Sequence, residues 1–316
     1  MELIYADTIG VEIGFLTDFS LDLDIGSTND FEIAMIANEK IMDFNWKIYA
    51  NNTEYGGIIS KIDVDTASNR IAYSGQTWRG ILNNYIISPP SGSDYLTVSG
   101  NVSTIISGLI SGFGINNLYA VAASTATVTD YQFDRYCTLL TGIDKMLKSV
   151  DCRLNVVCNN GAVTLSPVAI HDYSAELEYS QDSNINFRIQ DNRNGVNHLI
   201  CLGQGDLRDR QVLNLYLLAD GTIGTTQYYT GLSERADVFD FPAVESLDEL
   251  EKFGRERFAL LLNSQKMEMT IGDIAVELGD IVGGRERITG IYMKKPITQK
   301  IVKGDAYSMK ISYKVG

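Results

Sequence analysis

The chain has 316 residues, of which 45% are hydrophobic, with a formal net charge of −14 and a sequence pI near 4.6. This length exceeds one ordinary compact domain and predicts two or three units, each with its own core. Because an acidic surface repels phosphates, stable nucleic-acid binding is not expected. No apolar run reaches the length that crosses a bilayer, and the start MELIYADTIG lacks the features of a signal peptide. We therefore expect synthesis in the cytoplasm and no membrane anchor.

The cysteines and histidines are few, and their spacing matches no metal motif. They are Cys137, Cys152, Cys158, Cys201, His171 and His198. Without a Cys-x-x-Cys pair, the sequence predicts buried free thiols and no metal site. A disulfide between Cys152 and Cys158 across a hairpin stays open, although a cytoplasmic setting disfavours it. Neither histidine accompanies a recognisable nucleophile, so no catalytic residue and no cofactor is predicted.

The first 90 residues have the period-two pattern of half-buried strands. In DFSLDLDI, residues 18–25, apolar side chains alternate with acidic or polar ones, which places Asp22 and Asp24 on a polar face. The same alternation recurs, with turn residues between the runs, in FEIAM, WKIYA and RIAYSG. The pattern predicts a first domain, 1–90, that is a small antiparallel barrel or sandwich.

The middle of the chain has a different texture after the two prolines of SPPSGSD, which mark a boundary. Apolar residues at helical spacing predict helices from Val102 to Phe113 and from Tyr136 to Val150. The second helix leads into two apolar runs flanking Asn160 and Gly161, a pair that favours a tight hairpin turn. Residues 91–175 are thus predicted to form an α/β module.

Strands return from residue 176, and one helix interrupts them. Ser246 and Glu249 form a capping box at the start of a helix predicted within about 245–264. Asp220 and Gly221 mark another tight hairpin. Residues 176–316 are therefore predicted as a second β-rich domain with a helical insertion. The predicted fold class is mainly β with α+β elements.

The stretch GDIVGGRE, which begins at Gly279, has the spacing of a phosphate-binding loop up to its last two positions. That motif requires Lys followed by Ser or Thr, whereas Arg285 and Glu286 stand there. A carboxylate at that place would repel phosphate. The glycines are better explained by bends and close approaches between strands.

Other functional patterns are weak. Arg208 and Arg210, beside acidic residues in GQGDLRDRQ, are interpreted as part of a solvated or interfacial loop. Trp46 and Trp78 could form a sugar platform, although aromatic residues in strands are more often core. The 40 acidic residues also allow many carboxylate pairs of the kind that hydrolyse glycans, and sequence alone does not reveal their separations.

Several segments, however, resemble the tail hub proteins of siphophages and their prophages. They are WKIYANNTEYGGIIS, YSGQTWRGIL, PPSGSDYLTVSG, LRDRQVLNLYLLADGTIGTTQYYTG, ERADVFDFPAVESLDELEKFG and GDIVGGRERITGIYMKKPITQKIV. The resemblance extends from about residue 3 to residue 316, and the wider group is similar to the hubs of contractile tails and type VI secretion spikes. None of these segments is a catalytic motif, so the chain is not expected to be an enzyme.

The resemblance implies two similar β-barrel domains separated by the α/β module. It further implies a homotrimeric ring at the virion tail tip, the baseplate, in which six barrels match the symmetry of a tail tube or distal tail protein. Such a ring lets DNA or the tape measure protein pass, and a tip fibre, spike or lysin subunit is a further implied partner. Longer relatives carry a hydrolase or fibre on the same chain, and none is expected in a sequence that ends at Gly316.

On this interpretation an acidic wall keeps phosphates from sticking in the channel. Asp22 and Asp24 are candidates for that wall, and the alternative is that they merely face solvent. Basic residues are interpreted as contacts to neighbouring subunits or partners, namely Arg208, Arg210, Arg285, Arg287, Lys294, Lys295, Lys300 and Lys303. Two other functions stay open: a carbohydrate- or receptor-binding tail protein, and a cell-wall glycan hydrolase.

Overall fold

The computed structural model describes residues 1–38, 40–174, 186–191, 195–244, 246–262, 265–270, 276–285 and 292–316. The chain divides into two compact units. The main unit comprises Met1–Arg188 and Met267–Gly316, and the inserted unit comprises Ile189–Lys266. No helix within the described ranges combines the length and the apolar character required of a membrane span.

Strands predominate in the described residues. They are β1 (Leu3–Ala6), β2 (Glu12–Leu16), β3 (Ser20–Ile25), β4 (Asp30–Ile36), β5 (Lys47–Tyr49), β6 (Gly56–Asp65), β7 (Arg70–Thr77), β8 (Ile86–Ile87), β9 (Thr97–Asn101), β10 (Tyr119–Val121), β11 (Thr127–Gln132), β12 (Cys137–Thr138), β13 (Cys152–Asn159), β14 (Ala162–Ala169), β15 (Asn186–Asp191), β16 (His198–Leu202), β17 (Val212–Leu217), β18 (Ile223–Gly224), β19 (Ala236–Asp240), β20 (Gln265–Thr270), β21 (Ile281–Arg285), β22 (Tyr292–Asp305) and β23 (Met309–Val315). The α-helices of the same ranges are α1 (Trp78–Leu82), α2 (Val102–Gly112), α3 (Leu139–Lys148) and α4 (Leu247–Leu261).

One large sheet joins the two ends of the chain. Its strand order is β15-β20-β23-β22-β3-β4-β7-β6-β5-β1-β2, and β21 also pairs with β22 outside this linear order. The central seam is antiparallel, with Val302 of β22 opposite Leu23 of β3. The N-terminal strands therefore complete their sheet with strands from the other end of the chain. These pairings cross the three consecutive ranges predicted from the sequence, 1–90, 91–175 and 176–316.

The predicted fold class, mainly β with α+β elements, is confirmed, but the barrel form predicted for its two β-rich domains is not found. In the described residues the main sheet ends at β15 and β2, which do not pair with each other, and no other sheet closes. The physical reason lies in the seam: β3 uses its second edge to bind β22 and so does not turn back onto strands of its own range.

The alternating pattern of β3 is confirmed. Leu21, Leu23 and Ile25 are buried, whereas the intervening Asp22 is exposed and Asp24 is half-buried. Period-two alternation puts successive side chains on opposite faces, so one face of β3 joins the core and the other carries carboxylates.

The α/β module packs against the main sheet within one core. The predicted helices are confirmed as α2 and α3, and the predicted hairpin as β13–β14. Its turn residues Asn160 and Gly161 have φ of 50° and 73°, the left-handed values that an Asn-Gly turn supplies. Trp78, Ile106 and Leu154 are all buried in the shared core, which fixes α1, α2 and β13 relative to one another.

The inserted unit is a four-stranded sheet, in the order β18-β17-β16-β19, covered by α4. The first of the two hydrogen bonds of the predicted capping box is confirmed: the Ser246 hydroxyl accepts from the backbone N–H of Glu249 at 3.2 Å. Leu250 and Phe258 of α4 are buried in this unit's own core. Gly254 allows the helix to approach the sheet, because a Cβ there would lie 2.6 Å from Cys201 Sγ.

Candidate functional site

The candidate site is a carboxylate-rich surface on the main sheet. We call it the acidic face and define it by Asp22 and Asp24 of β3 with Asp30 and Glu32 of β4. A groove of about 630 Å³ runs over it, and its charged lining consists of these four carboxylates with Lys61 and Lys303. Carboxylates outnumber lysines along the groove, which leaves a net negative charge.

The strand register pairs one of these acids with a predicted contact residue. Lys303 lies opposite Asp22 across the β22–β3 seam, and its Nζ is 2.6 Å from Asp22 Oδ2. Both side chains are more than half exposed, so solvent screens the pair and its net contribution to stability is at most about 1 kcal/mol.

Asp24 stabilises the turn between β3 and β4. Its Oδ1 accepts hydrogen bonds from the backbone N–H groups of Ser27 and Thr28, at 3.1 and 2.9 Å, and the side-chain amide of Gln299 donates to its Oδ2. The carboxylate thereby satisfies backbone donors of the β3–β4 turn. Asp22, by contrast, forms an exposed ion pair with Lys303, a difference that the sequence pattern does not reveal.

Sequence reasoning missed the other two members of the acidic face. Asp30 accepts a hydrogen bond from the Thr28 hydroxyl at 2.6 Å, and Glu32 pairs with Arg70 of β7. The available signal was the alternation of FEIAM, which puts Glu32 on the polar face of its strand, but only the β3–β4 pairing brings both strands' acids together.

The predicted basic contacts fall into different environments. Lys294 pairs with Asp172. Hydrogen bonds from Lys294 and Ser174 hold the pKa of the Asp172 carboxyl at about 2, below its ordinary value. Lys295 is half-buried on the same strand. Arg285 lies over the ring of Tyr292, with 5.3 Å between the guanidinium carbon and the ring centroid.

The remaining basic candidates of the C-terminal half also lie in different environments. In the inserted unit, Arg210 donates to the Gly203 carbonyl at 3.1 Å and pairs with Asp240, whereas Arg208 lies in a short 3₁₀ turn. Arg287 lies outside the described residues. Lys300 corrects the prediction: its side chain is only 4% exposed, so it is enclosed by its own chain and does not reach a neighbouring surface.

Lys300 belongs to a buried ion network. Its Nζ lies 2.9 Å from Glu277 Oε2 and 3.9 Å from Glu54 Oε1, between the rings of Tyr55 and Tyr313. Burial by itself lowers the pKa of Lys300, but the attraction of Glu54 and Glu277 outweighs burial and raises it. Burial also raises the pKa of Glu277 despite its lysine partner. The lysine therefore stays charged and balances two carboxylates in the interior.

The histidine and tryptophans considered for catalysis and sugar binding make structural contacts. The ring nitrogens of His198 lie 2.7 Å from Glu234 Oε1 and 2.9 Å from Asn214 Oδ1, so this histidine is a satisfied structural residue as predicted. Trp78 is fully buried, which removes it from the suggested sugar platform, and Trp46 stacks on Tyr5 instead. All four cysteines are free, and the described residues contain no group of acidic, His and Cys side chains arranged for a metal ion.

The fold is shared with solved tail proteins. The 43 kDa tail protein of prophage MuSo2 from Shewanella oneidensis is similar with a TM-score of 0.59 and 12% identity, over 100% of this chain and 98% of that one. A tail protein from Neisseria meningitidis MC58 gives 0.54 and 13%, over 99% and 95%. Prophage tail protein gp18 from Listeria monocytogenes EGD-e gives 0.52 and 13%, over 99% and 94%.

No protein-family model and no curated protein matches the sequence. The similarity to prophage tail proteins that the sequence segments suggested is thus confirmed as a similarity of fold, spanning nearly the whole length of each protein.

Proposed function

We propose that this chain is a structural, non-enzymatic hub of a phage or phage-derived tail. Three copies form a ring at the tail tip, which joins the sixfold tail tube or distal tail protein to a threefold tip. DNA or the tape measure protein passes through the ring, and a fibre, spike or lysin subunit attaches beyond it.

The observation that carries this proposal is the full-length similarity of fold. Tail proteins from three different bacteria or their prophages match at least 99% of this chain, so the likeness includes the main sheet, the α/β module and the inserted unit. A fold alone does not determine function. The proposal therefore also needs surfaces on this chain that suit a ring around a passage.

The acidic face suits the wall of that passage. DNA sliding through a channel must not bind its wall, and carboxylates repel phosphates at short range. Asp22, Asp30 and Glu32 supply this repulsion, and Asp24 shapes the turn beside them. The exposed Lys294, Arg208 and Lys303 and the half-buried Lys295 remain proposed contacts to neighbouring subunits.

An open apolar edge suits contact between copies. Strand β2 is the last strand of the main sheet, and its one neighbour among the described residues is β1. Ile13 and Phe15 of this strand are 51% and 59% exposed. An uncovered apolar edge recruits other strands, whereas a neighbouring copy in a closed ring would cover it. We assign the β2 edge to the contact between copies.

Native mass spectrometry of the purified chain tests both the trimer and the assignment of the β2 edge to the contact between copies. The expected mass is three times the 34.9 kDa of one chain. Phe15→Glu introduces a charge at the edge and is expected to yield monomers, whereas Leu232→Glu, on an exposed turn of the inserted unit, leaves the trimer intact. A trimer that survives Phe15→Glu rejects this edge as the contact. A monomer at every concentration of the unaltered chain rejects the hub.

A further inference from the structure

A small charged cavity lies inside the main unit. Its volume is about 230 Å³, and its wall is built from α1, α3, β13 and the middle of β22. The charged side chains that line it are Arg79, Asp144, Lys148 and Arg153. Three of these four side chains are cationic, and two of the three, Arg79 and Arg153, also pair with the carboxylates Glu54 and Asp280.

Both arginines are fixed in place and keep a spare donor. Arg79 donates from Nε to Glu54 Oε2 at 2.9 Å and from Nη2 to the Leu154 carbonyl at 2.6 Å. Arg153 donates from Nε to Asp280 Oδ1 at 2.7 Å and from Nη1 to Asn155 at 3.5 Å. Within the described residues, Arg79 Nη1 and Arg153 Nη2 make no hydrogen bond. Arg79 is almost fully buried and lines the cavity, so its spare donor is available to a ligand there.

Asp144 and Lys148 complete the wall from one face of α3. They are four residues apart, yet they form no ion pair with each other or with any other described residue. Burial raises the pKa of the Asp144 carboxyl, and the nearby charges of Arg79 and Lys148 oppose this shift only in part. Asp144 is the one carboxylate among the charged side chains that line the cavity.

We propose that this cavity binds one small oxyanion of the size of phosphate, held by Arg79, Arg153 and Lys148. Guanidinium groups match the geometry of oxyanions, and a lysine adds a point charge. The volume corresponds to on the order of eight water molecules, which is enough for a phosphate with some water and below the usual range of pockets for larger ligands. The volume therefore matches a small anion better than a nucleotide or a peptide segment.

The bound ion would act as a structural ligand. Its donors come from α1, α3 and β13, so it ties together elements that are far apart in the sequence. A ligand that binds only the folded chain stabilises it in proportion to the logarithm of its concentration. The unfolding midpoint is therefore expected to rise steadily with phosphate once the site begins to fill.

Isothermal titration calorimetry of the full chain with inorganic phosphate tests the site, at constant ionic strength balanced with chloride. Lys148 is an exposed residue near the end of α3, so Lys148→Gln is expected to fold, which circular dichroism checks. We expect this variant to bind phosphate about tenfold more weakly or worse, the loss typical of one charge-assisted hydrogen bond. Lys310→Gln removes the same charge at an exposed position outside the cavity and is expected to leave the affinity unchanged.

A third variant probes the carboxylate. Asp144→Asn removes the negative charge and introduces an amide N–H donor, so it is expected to bind phosphate more tightly at neutral pH. Three results would overturn the proposal: no saturable heat for the unaltered chain up to millimolar phosphate, equal losses for Lys148→Gln and Lys310→Gln, or weaker binding by Asp144→Asn. The first result would mean that the cavity holds only water.

Discussion

Arg79 of α1 and Glu54 form an ion pair in the interior of the main unit, with 2.9 Å between Nε and Oε2 and side chains only 6% and 5% exposed. Glu54 lies in the β5–β6 connection, and Arg79 also binds the Leu154 carbonyl of β13. The pair therefore connects the N-terminal strands to the α/β module. Removing one partner would leave a charge buried without its counter-ion, which is among the most costly single changes in a core.

The first prediction concerns this pair. Glu54→Gln is expected to lower the free energy of unfolding by about 3 to 5 kcal/mol, because Arg79 loses its carboxylate partner away from water. Glu32→Gln makes the same substitution in the exposed pair with Arg70 and is expected to cost less than about 1 kcal/mol. Urea unfolding of both variants at one protein concentration measures the difference. Equal costs would show that burial of the Arg79–Glu54 pair has no energetic consequence.

The second prediction contrasts two helical glycines. A Cβ on Gly108 of α2 meets no atom within 4 Å, so Gly108→Ala is expected to raise the free energy of unfolding by about 1 kcal/mol through helix propensity. A Cβ on Gly142 of α3 would lie 2.6 Å from Ile87 Cδ1 and 3.0 Å from Phe133 Cδ1. Overpacking costs more than propensity returns, so Gly142→Ala is expected to lose about 1 to 2 kcal/mol. Thermal or urea unfolding should give opposite signs, and the same sign for both would contradict the packing around α3.

The third prediction concerns acid titration. The Lys294–Asp172 pair and Ser174 hold the pKa of Asp172 at about 2. Because this folded-state pKa lies below the ordinary value, the carboxylate contributes stability above about pH 4, which is lost as the pH falls through about 2. In Lys294→Gln the pKa of Asp172 should rise toward its ordinary value, as carboxyl ¹³C chemical shifts measure. Lys295→Gln is the control, and an equal shift in both variants would show that the Lys294 contact does not set this pKa.

The fourth prediction tests the acidic face as a wall that repels DNA. Asp22→Lys combined with Asp30→Lys reverses two exposed charges and spares Asp24, whose hydrogen bonds hold the turn. We expect the assembled variant to retain double-stranded DNA at low salt and to release it as salt rises. The control, Asp94→Lys with Glu256→Lys, changes the same number of exposed charges elsewhere. Fluorescence anisotropy measures binding, and equal DNA affinity in both variants would remove the special role of this face.

Much of the local structure was predictable because its causes are local. The alternation in β3 follows from the two-residue repeat of a strand, and the spacing in α2 follows from the helical repeat. The turn at Asn160 and Gly161 and the cap at Ser246 depend on side chains within a few residues. The predictions of these features were correct for the same reason, because residues close in the sequence determine them.

The sheet topology was not predictable in this way. Lys303 and Asp22 are 281 positions apart in the sequence, yet they are directly opposite in the seam between β22 and β3. Sequence patterns assign a face to each strand but not its neighbour, so two separate barrels were expected where the described strands of both ends share one open sheet and the inserted unit has its own. The burial of Lys300 was not predictable either. Its sequence pattern is that of an exposed strand residue, but β3, Glu54 and Glu277 enclose it in the fold.

Cryo-electron microscopy of the purified assembly shows directly whether this chain forms the ring through which a tail delivers its contents. We expect a threefold ring with an open centre, in which Asp22, Asp30 and Glu32 of each copy face the opening and a neighbouring copy covers β2. A particle without a central opening, or a ring whose acidic faces point outward while β2 stays uncovered, would contradict it.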